Sequence, residues 1–276
     1  MGLCRILYSR LQITWGLLAG LVCLLFLFIG CAKHDPDAWL LSDPAYKGWL
    51  VESYQNVRLY YAPGHPHAQE MSGTVRKYQM AINSISKTLG LPTPTDTLKV
   101  VWYTGAGQGK ELTGHSFPFG DSLGVARFWL PFAFGVPVAQ IYVRKWDSTL
   151  TRHKFLWHGL IALFDFQGEN YHTTTLDFLK QSSFEPLATL AEDTVVNSDS
   201  ERWQSAEAAS FCAYIMGNYG TDRFQHLYDS RLPFDQAVSR TIGISLDSAQ
   251  VEWLQYAHLA SPKYKDEIQG DTSVHK

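Results

Sequence analysis

The pattern of hydrophobic and polar residues predicts two strands separated by one long helix. Residues 56–62 alternate polar and apolar side chains and stop at a Pro-Gly turn, as a strand does. Residues 67–89 have apolar side chains at steps of three and four, which is the period of an amphipathic helix, and Gly90 is its predicted end. Residues 98–104 are the second predicted strand.

The next stretch, residues 105–137, is rich in glycine, proline and aromatic residues. It is predicted to be a long surface excursion with a short hairpin around Val125 to Trp129. The glycines of residues 105–109 are assigned to turns, because the Gly-Lys-Ser/Thr ending of a phosphate-binding loop is missing. Residues 139–144 are predicted to be a third strand.

From Ser148 onward the pattern becomes helical, and later helices begin at residues that can cap them, such as Ser200, Thr221 and Ser245. The predicted helices span residues 149–166, 176–193, 201–218, 221–230, 233–241 and 246–259. The fold class is therefore α+β: a small β-rich N-terminal half with one long helix, followed by an all-helical C-terminal half.

Residues 1–31 have the pattern of an export signal. Two arginines and no acid precede an uncharged apolar run over residues 11–30. The run is long for a cleaved signal and just long enough to cross a bilayer, which takes about 20 residues. Its end, Phe28-Ile29-Gly30-Cys31, resembles a bacterial lipobox, in which the cysteine receives the lipid. A lipoprotein-type signal peptide and an uncleaved signal anchor both remain open.

Both alternatives anchor the protein in a membrane and place it outside the cytoplasm, at the periplasmic face of a bacterial envelope, with the outer membrane as one option. Residues 32–48 suit a tether, residues 49–262 suffice for one domain, and residues 263–276 are a polar tail. If Cys31 is lipidated, Cys212 is the only free thiol, and no disulfide framework is expected.

A net charge of −3 without a basic block argues against nucleic acid as a partner. The expected partners are the membrane and an envelope protein, a peptide or a glycan.

The order of the predicted elements resembles that of the gluzincin-type zinc metallopeptidases, in particular the bacterial peptidase MA-like domains. Short phrases that follow the family's order support the resemblance over about residues 56–257. They are Tyr60-Tyr61, Leu89-Gly90, Leu112-Thr113-Gly114, Gly124-Val125-Ala126, Ala208-Ala209-Ser210-Phe211, Tyr219-Gly220 and Glu252-Trp253.

In that family one helix contains H-E-x-x-H, whose two histidines bind zinc while the glutamate activates the bound water. Residues 156–163 are similar to this metal helix. The resemblance puts His158 at the first histidine, Gly159 at the catalytic glutamate and Ala162 at the second histidine. Only one of the three functional side chains is retained.

The third ligand of the family is a glutamate on a following helix. Residues 184–188 are similar to that phrase, which implies Glu185 as the ligand, and Glu192 is a second candidate. His153 does not complete the site, because five helical steps turn it about 140° away from His158. One histidine and one glutamate fall below the three protein ligands of a catalytic zinc.

The resemblance therefore implies a gluzincin-like domain that has lost zinc catalysis, needs no cofactor and acts as a binding or scaffolding module. The alternatives are an active zinc-dependent metallopeptidase with non-standard ligands and an assembly component without a pocket. If the helix is ancestral, Gly159→Glu with Ala162→His should rebuild the motif. The backbone is expected to accept the change at Gly159, whereas a larger ring at Ala162 is expected to risk overpacking.

Other side chains can be assigned a structural role as well as a functional one. His158 is expected to be a core histidine with a hydrogen-bond partner, and Glu169 and His172 are expected to lie at the surface. His65 and His67 are assigned to a solvated loop.

Six aromatic side chains gather within 18 residues. They either cover the sheet or form a wall for a peptide, a glycan or the bilayer. They are Phe117, Phe119, Phe128, Trp129, Phe132 and Phe134.

Overall fold

The computed structural model describes Leu40 and residues 42–92, 94–149, 151–192 and 201–264. The predicted signal segment and Cys31 lie outside this part. None of the helices within it is long and apolar enough to cross a membrane.

The chain divides into two units between Gly48 and Trp49. In the first unit, Asp43 caps a short 3₁₀ turn over Pro44–Tyr46 by accepting a hydrogen bond from the backbone N–H of Ala45 at 2.9 Å.

The second unit contains one five-stranded mixed sheet in the order β1-β2-β3-β5-β4. Its three inner strands are parallel to one another, and the edge strands β1 and β4 run antiparallel to their neighbours. The strands are β1 Leu50–Tyr54, β2 Val57–Tyr61, β3 Leu98–Trp102, β4 Phe119–Gly120 and β5 Val125–Phe128. The two strands predicted on either side of the long helix are confirmed, as is a hairpin that includes β5. The sequence pattern did not indicate β1.

The predicted long helix is confirmed as α1, Met71–Thr88. Its apolar positions Val75, Tyr78, Ile82 and Ile85 are buried, because they lie on the face that packs against the sheet. This helix connects the parallel strands β2 and β3, as a crossover of this kind requires.

The remaining chain is largely helical, so the α+β layout is confirmed. The helices are α2 Ala106–Thr113, α3 Gly135–Trp146, α4 Lys154–Leu163, α5 Tyr171–Lys180, α6 Leu187–Ala191, α7 Glu201–Tyr219, α8 Thr221–Tyr228, α9 Phe234–Ile242 and α10 Leu246–Ala260. The helix predicted over residues 176–193 is two helices, α5 and α6. Ser245 caps α10 as predicted, whereas the residue at the N-cap of α8 is Gly220 rather than Thr221.

Two predictions about residues 105–144 are wrong. Residues 139–144 are not a strand but the middle of α3, in which Val138, Ala139, Ile141 and Tyr142 are buried in a helical period. Residues 105–137 are not only surface excursion, because they contain α2.

Helix α2 forms despite its glycines. Gly109 fits only without a side chain, since a Cβ there would lie 2.6 Å from the ring of Trp129.

The helical half is organised around α7, which packs against α4 more closely than any other described pair of helices. The two backbones come close together at Gly159, where a Cβ would lie 2.5 Å from the backbone of Ala208. This contact fixes which face of α4 meets α7 and therefore which face remains for a site.

Candidate functional site

A cavity of about 880 Å³ opens beside α4, and we call it the α4 cavity. Its volume is in the range of sites that hold small molecules or peptide segments. The lining side chains come from the loops around β4 and α3, from α4 and α5, and from one residue of α7. They are Phe117, Pro118, Pro131, Phe132, Ala133, Val136, Gln140, His158, Ile161, Ala162, Asp165, Gln167, Glu169, Tyr171, Thr174, Phe178 and Ala206.

Helix α4 presents one continuous face to this cavity. His158 and Ala162 are four residues apart on α4, so they lie on one side of the helix axis, and both line the cavity. Asp165, in the turn that follows α4, lines the cavity as well. His158 is half-buried, and it lies at the cavity wall rather than in the core. The two positions that the resemblance equates with zinc-binding histidines therefore border the same space.

Gly159, which the resemblance equates with a catalytic glutamate, is not among the residues that line the cavity. It is buried against Ala208 of α7, and no side chain fits between the two backbones. The expectation that the helix accepts a glutamate at Gly159 is wrong, because its Cβ would overlap main-chain atoms that cannot move independently. Ala162, by contrast, lines the cavity although it is only 9% exposed, so overpacking by a larger ring there stays a prediction.

Asp165 is the strongest polar feature of the cavity and was not singled out by the sequence. Its carboxylate accepts a hydrogen bond from the N–H of Gln167 at 2.9 Å and another from the hydroxyl of Tyr171. The residue is only 9% exposed, and burial raises the pKa of its carboxyl group above the ordinary value. Nearby Glu169 accepts a hydrogen bond from the hydroxyl of Thr174 at 2.9 Å.

The predicted third ligand lies outside the set of cavity-lining residues. Glu185 precedes α6, and its backbone N–H donates to Oε1 of Glu207 at 2.8 Å. The role of Glu185 as a metal ligand stays a prediction. Glu192 lies elsewhere, on a smaller pocket of about 400 Å³ that it shares with His153. His153 is buried beside Phe234, with ring centroids 5.1 Å apart.

Glu207 itself is a buried acid that the sequence analysis missed. It has no exposed surface, and its Oε2 has no hydrogen-bond partner in the described part of the chain. Burial raises the pKa of Glu207 to about 8, with the charge of Glu185 as a smaller cause in the same direction and the hydrogen bond from the Glu185 N–H acting against both. At neutral pH this carboxyl is therefore largely protonated.

The other histidines make contacts within the fold. His172 was expected at the surface, but it is half-buried in α5, where its Nδ1 lies 2.8 Å from the hydroxyl of Ser210. Burial lowers the pKa of His172 to about 4.

Nor is the predicted loop around His65 simply solvated. His65 is buried near Tyr103, whose carbonyl oxygen lies 3.2 Å from its Nε2, and His67 stacks on Trp102 with centroids 5.8 Å apart.

The aromatic group divides between the core and the cavity. Phe128 and Trp129 are buried in the core, whereas Phe117 and Phe132 line the α4 cavity. Their rings meet edge to face at 5.5 Å, so they form one aromatic wall opposite α4.

The side chains at the α4 cavity do not fit a catalytic metal. Among the lining residues that the structure describes, His158 is the one imidazole and Asp165 and Glu169 are the two carboxylates, and position 162, where a second imidazole would stand on α4, is alanine. In the described ranges there is no group of three or more histidine, cysteine, aspartate or glutamate side chains placed to hold a metal ion.

The sequence matches no model of a known protein family, and a search of curated proteins likewise finds no match.

Two signals in the sequence could have identified the missed acids. Asp165 lies seven residues after His158, a spacing that continues the period of the helix face, although α4 itself ends at Leu163. Glu207 is the only charged residue in the mostly apolar run from Ala206 to Ala213, where a charge is unexpected. No local signal indicates that Tyr171 contacts Asp165, because that contact depends on the turn between α4 and α5.

Proposed function

We propose that this protein is a membrane-anchored, extracytoplasmic, gluzincin-like domain that binds a peptide segment in the α4 cavity and lacks zinc catalysis. The observation that supports it best is the division of α4 into two faces. His158 and Ala162 border the cavity, while Gly159 packs against α7 where a catalytic glutamate would have no room. The pocket of an ancestral enzyme would persist in this arrangement without the group that activates water.

The composition of the cavity wall supports binding. Phe117, Phe132 and Phe178 offer aromatic surface, and the side-chain amide of Gln167 can exchange hydrogen bonds with a peptide backbone. An assembly component without a pocket would not need such a cavity. The resemblance to peptidases favours a peptide over a glycan.

The sheet edge supports a role other than proteolysis. Strand β4 is the edge strand beside the cavity, yet the N–H of Gly120 donates to the side chain of Gln140 at 2.8 Å. The carbonyl of Gly120 accepts from Arg144 at 2.7 Å. Helix α3 thus occupies the main-chain groups to which an added strand would bind.

The proposal is tested with a pool of random N-acetylated pentapeptide amides, incubated with the full-length protein in detergent with and without zinc. Mass spectrometry then measures which peptides are retained and which are cleaved. We expect intact peptides to be retained with or without zinc, because the wall supplies contacts but no activated water.

The matched variants are Ala162→Trp, which fills the α4 cavity, and Ala188→Trp, at an exposed position on α6 beside the smaller pocket. Retention should be lost only in the first. Zinc-dependent cleavage by the wild-type protein would instead establish the active metallopeptidase, and retention that survives Ala162→Trp would place the binding site elsewhere.

A further inference from the structure

The α4 cavity has more acidic than basic side chains in its lining. Its lining includes the acids Asp165 and Glu169, together with His158, and no lysine or arginine is among the lining residues that the structure describes. Asp165 is buried and its hydrogen-bond donors, Gln167 and Tyr171, are both uncharged. A buried carboxylate with only neutral partners is favourable for an incoming cation, which would supply the missing counter-charge.

The aromatic side chains that line the cavity also favour a cation. Phe117, Phe132, Tyr171 and Phe178 line the cavity, and the faces of such rings attract cations. Their apolar surface also suits a long aliphatic stem that ends in a charged group.

The acceptor positions that remain on the carboxylate of Asp165 distinguish between lysine and arginine as the bound side chain. The two oxygens of Asp165 each hold one donor already, one from the Gln167 N–H and one from the Tyr171 hydroxyl. A guanidinium group binds best when both oxygens accept it side by side, and these donors interfere with that geometry. An ammonium group is a compact point charge that needs only single remaining lone pairs.

We infer that the peptide bound in the α4 cavity contributes a lysine side chain, whose ammonium group lies against Asp165 at the end of α4 with Glu169 at the rim. This inference rests on the proposed function and names the specificity of the same site. The stem of the lysine packs along the aromatic wall formed by Phe117 and Phe132.

The test compares two pools of pentapeptides, Ac-X-X-Lys-X-X-NH₂ and the same pool with norleucine in place of lysine. The blocked N-terminus leaves the central side chain as the only designed cation. Affinity selection with the full-length protein at pH 7 should retain the lysine pool about tenfold over the norleucine pool, as one charge-assisted contact can provide. The preference should weaken as salt rises.

The key variant is Asp165→Asn, which keeps the size of the side chain and is expected to abolish the lysine preference. The control is Asp96→Asn, which removes one negative charge at a carboxyl that is 81% exposed and pairs with Lys145 away from the cavity. The control should keep the preference. Should Asp165→Asn fail to fold, Glu169→Gln at the exposed rim is expected to reduce the preference about threefold.

Equal retention of both pools by the wild-type protein would overturn the lysine inference and leave the peptide-binding function standing. A preference unchanged in a folded Asp165→Asn protein would overturn it as well. Retention of neither pool would overturn both the inference and the proposed function.

Discussion

Two small residues on α4, three positions apart, have opposite surroundings. This difference decides which of the two positions can hold a larger side chain. Gly159 touches the backbone of Ala208, whereas Ala162 borders the α4 cavity. The helical spacing of the sequence correctly predicts that His158 and Ala162 share a face. It cannot show that Gly159 is needed for a close helix contact, because that contact depends on α7, which lies more than 40 residues later.

The first prediction concerns Gly159→Ala. The added methyl group overlaps Ala208, so we expect the free energy of unfolding to fall by about 1–3 kcal/mol, measured by urea denaturation. The control is Gly73→Ala in α1, where no atom lies within 4 Å of the new methyl group. That change should be neutral or stabilising by up to about 1 kcal/mol. Equal effects of both changes would refute the close contact between α4 and α7.

The second prediction concerns the buried acid Glu207. Its pKa is about 8 in the folded protein and near 4.5 in an unfolded chain, so the folded state binds more protons between these values. Stability should therefore fall as pH rises through this window. His172 has the opposite effect between about pH 4 and 6.5, so the clean interval is pH 6.5 to 8.

Across that interval the wild-type protein should lose about 2 kcal/mol through Glu207, and Glu207→Gln should remove this loss. The measurement is the free energy of unfolding at both pH values for the two proteins. If Glu207→Gln leaves the loss of stability between pH 6.5 and 8 unchanged, Glu207 is not held protonated by the fold.

At the scale of the elements, α3 is the clearest difference between prediction and structure. The six residues 139–144 contain β-branched and alternating side chains, which favour a strand when they are taken alone. A window of six residues is too short to separate a period of 2 from a period of 3.6. The helical pattern becomes visible only when Gly135 and Val138 are included, and packing against β4 then stabilises the helix.

The third prediction tests the cover that α3 provides over the sheet edge. Arg144→Ala removes the hydrogen bond to the Gly120 carbonyl and the contact of the guanidinium with Trp157 at 5.6 Å. We expect a loss of about 1–2 kcal/mol in the free energy of unfolding. Lys145→Ala is the matched control. This neighbour makes an exposed pair with Asp96 at 3.5 Å and a contact with the ring of Tyr142 at 5.2 Å, and its loss should change stability by less than about 1 kcal/mol.

Hydrogen exchange gives a second readout of the same contact. The amides of β4 should exchange faster in Arg144→Ala than in Lys145→Ala, because the edge is less well covered. The same exchange rate in both variants would show that α3 does not protect the edge.

For the whole molecule, the α+β layout could be predicted because its long elements have strong periodicities, as α1 and α10 do. The candidate site could be predicted only in part, since His158 and Ala162 lie on one helix while Phe132 and Tyr171 reach the cavity through loops. Glu185 illustrates the limit: a resemblance assigns it a role, but its position depends on how α6 packs. Contacts between distant elements leave no local periodicity.

The central claim is that the α4 cavity is a former metal pocket that lacks a ligand at Ala162. Ala162→His would place two imidazoles one turn apart on α4, and Asp165 in the turn after α4 lines the same cavity as the third ligand, which gives the number that a zinc site needs. Bound zinc would stabilise the folded variant by about 2.7 kcal/mol at a free concentration of 100 times Kd.

The decisive measurement is the melting temperature with and without zinc for the wild-type protein and for Ala162→His. We predict a zinc-dependent rise only in the variant, lost when His158→Ala or Asp165→Asn is added and kept when Glu185→Ala is added. A wild-type protein that already melts higher with zinc, or a folded variant that does not respond to zinc, would contradict the account.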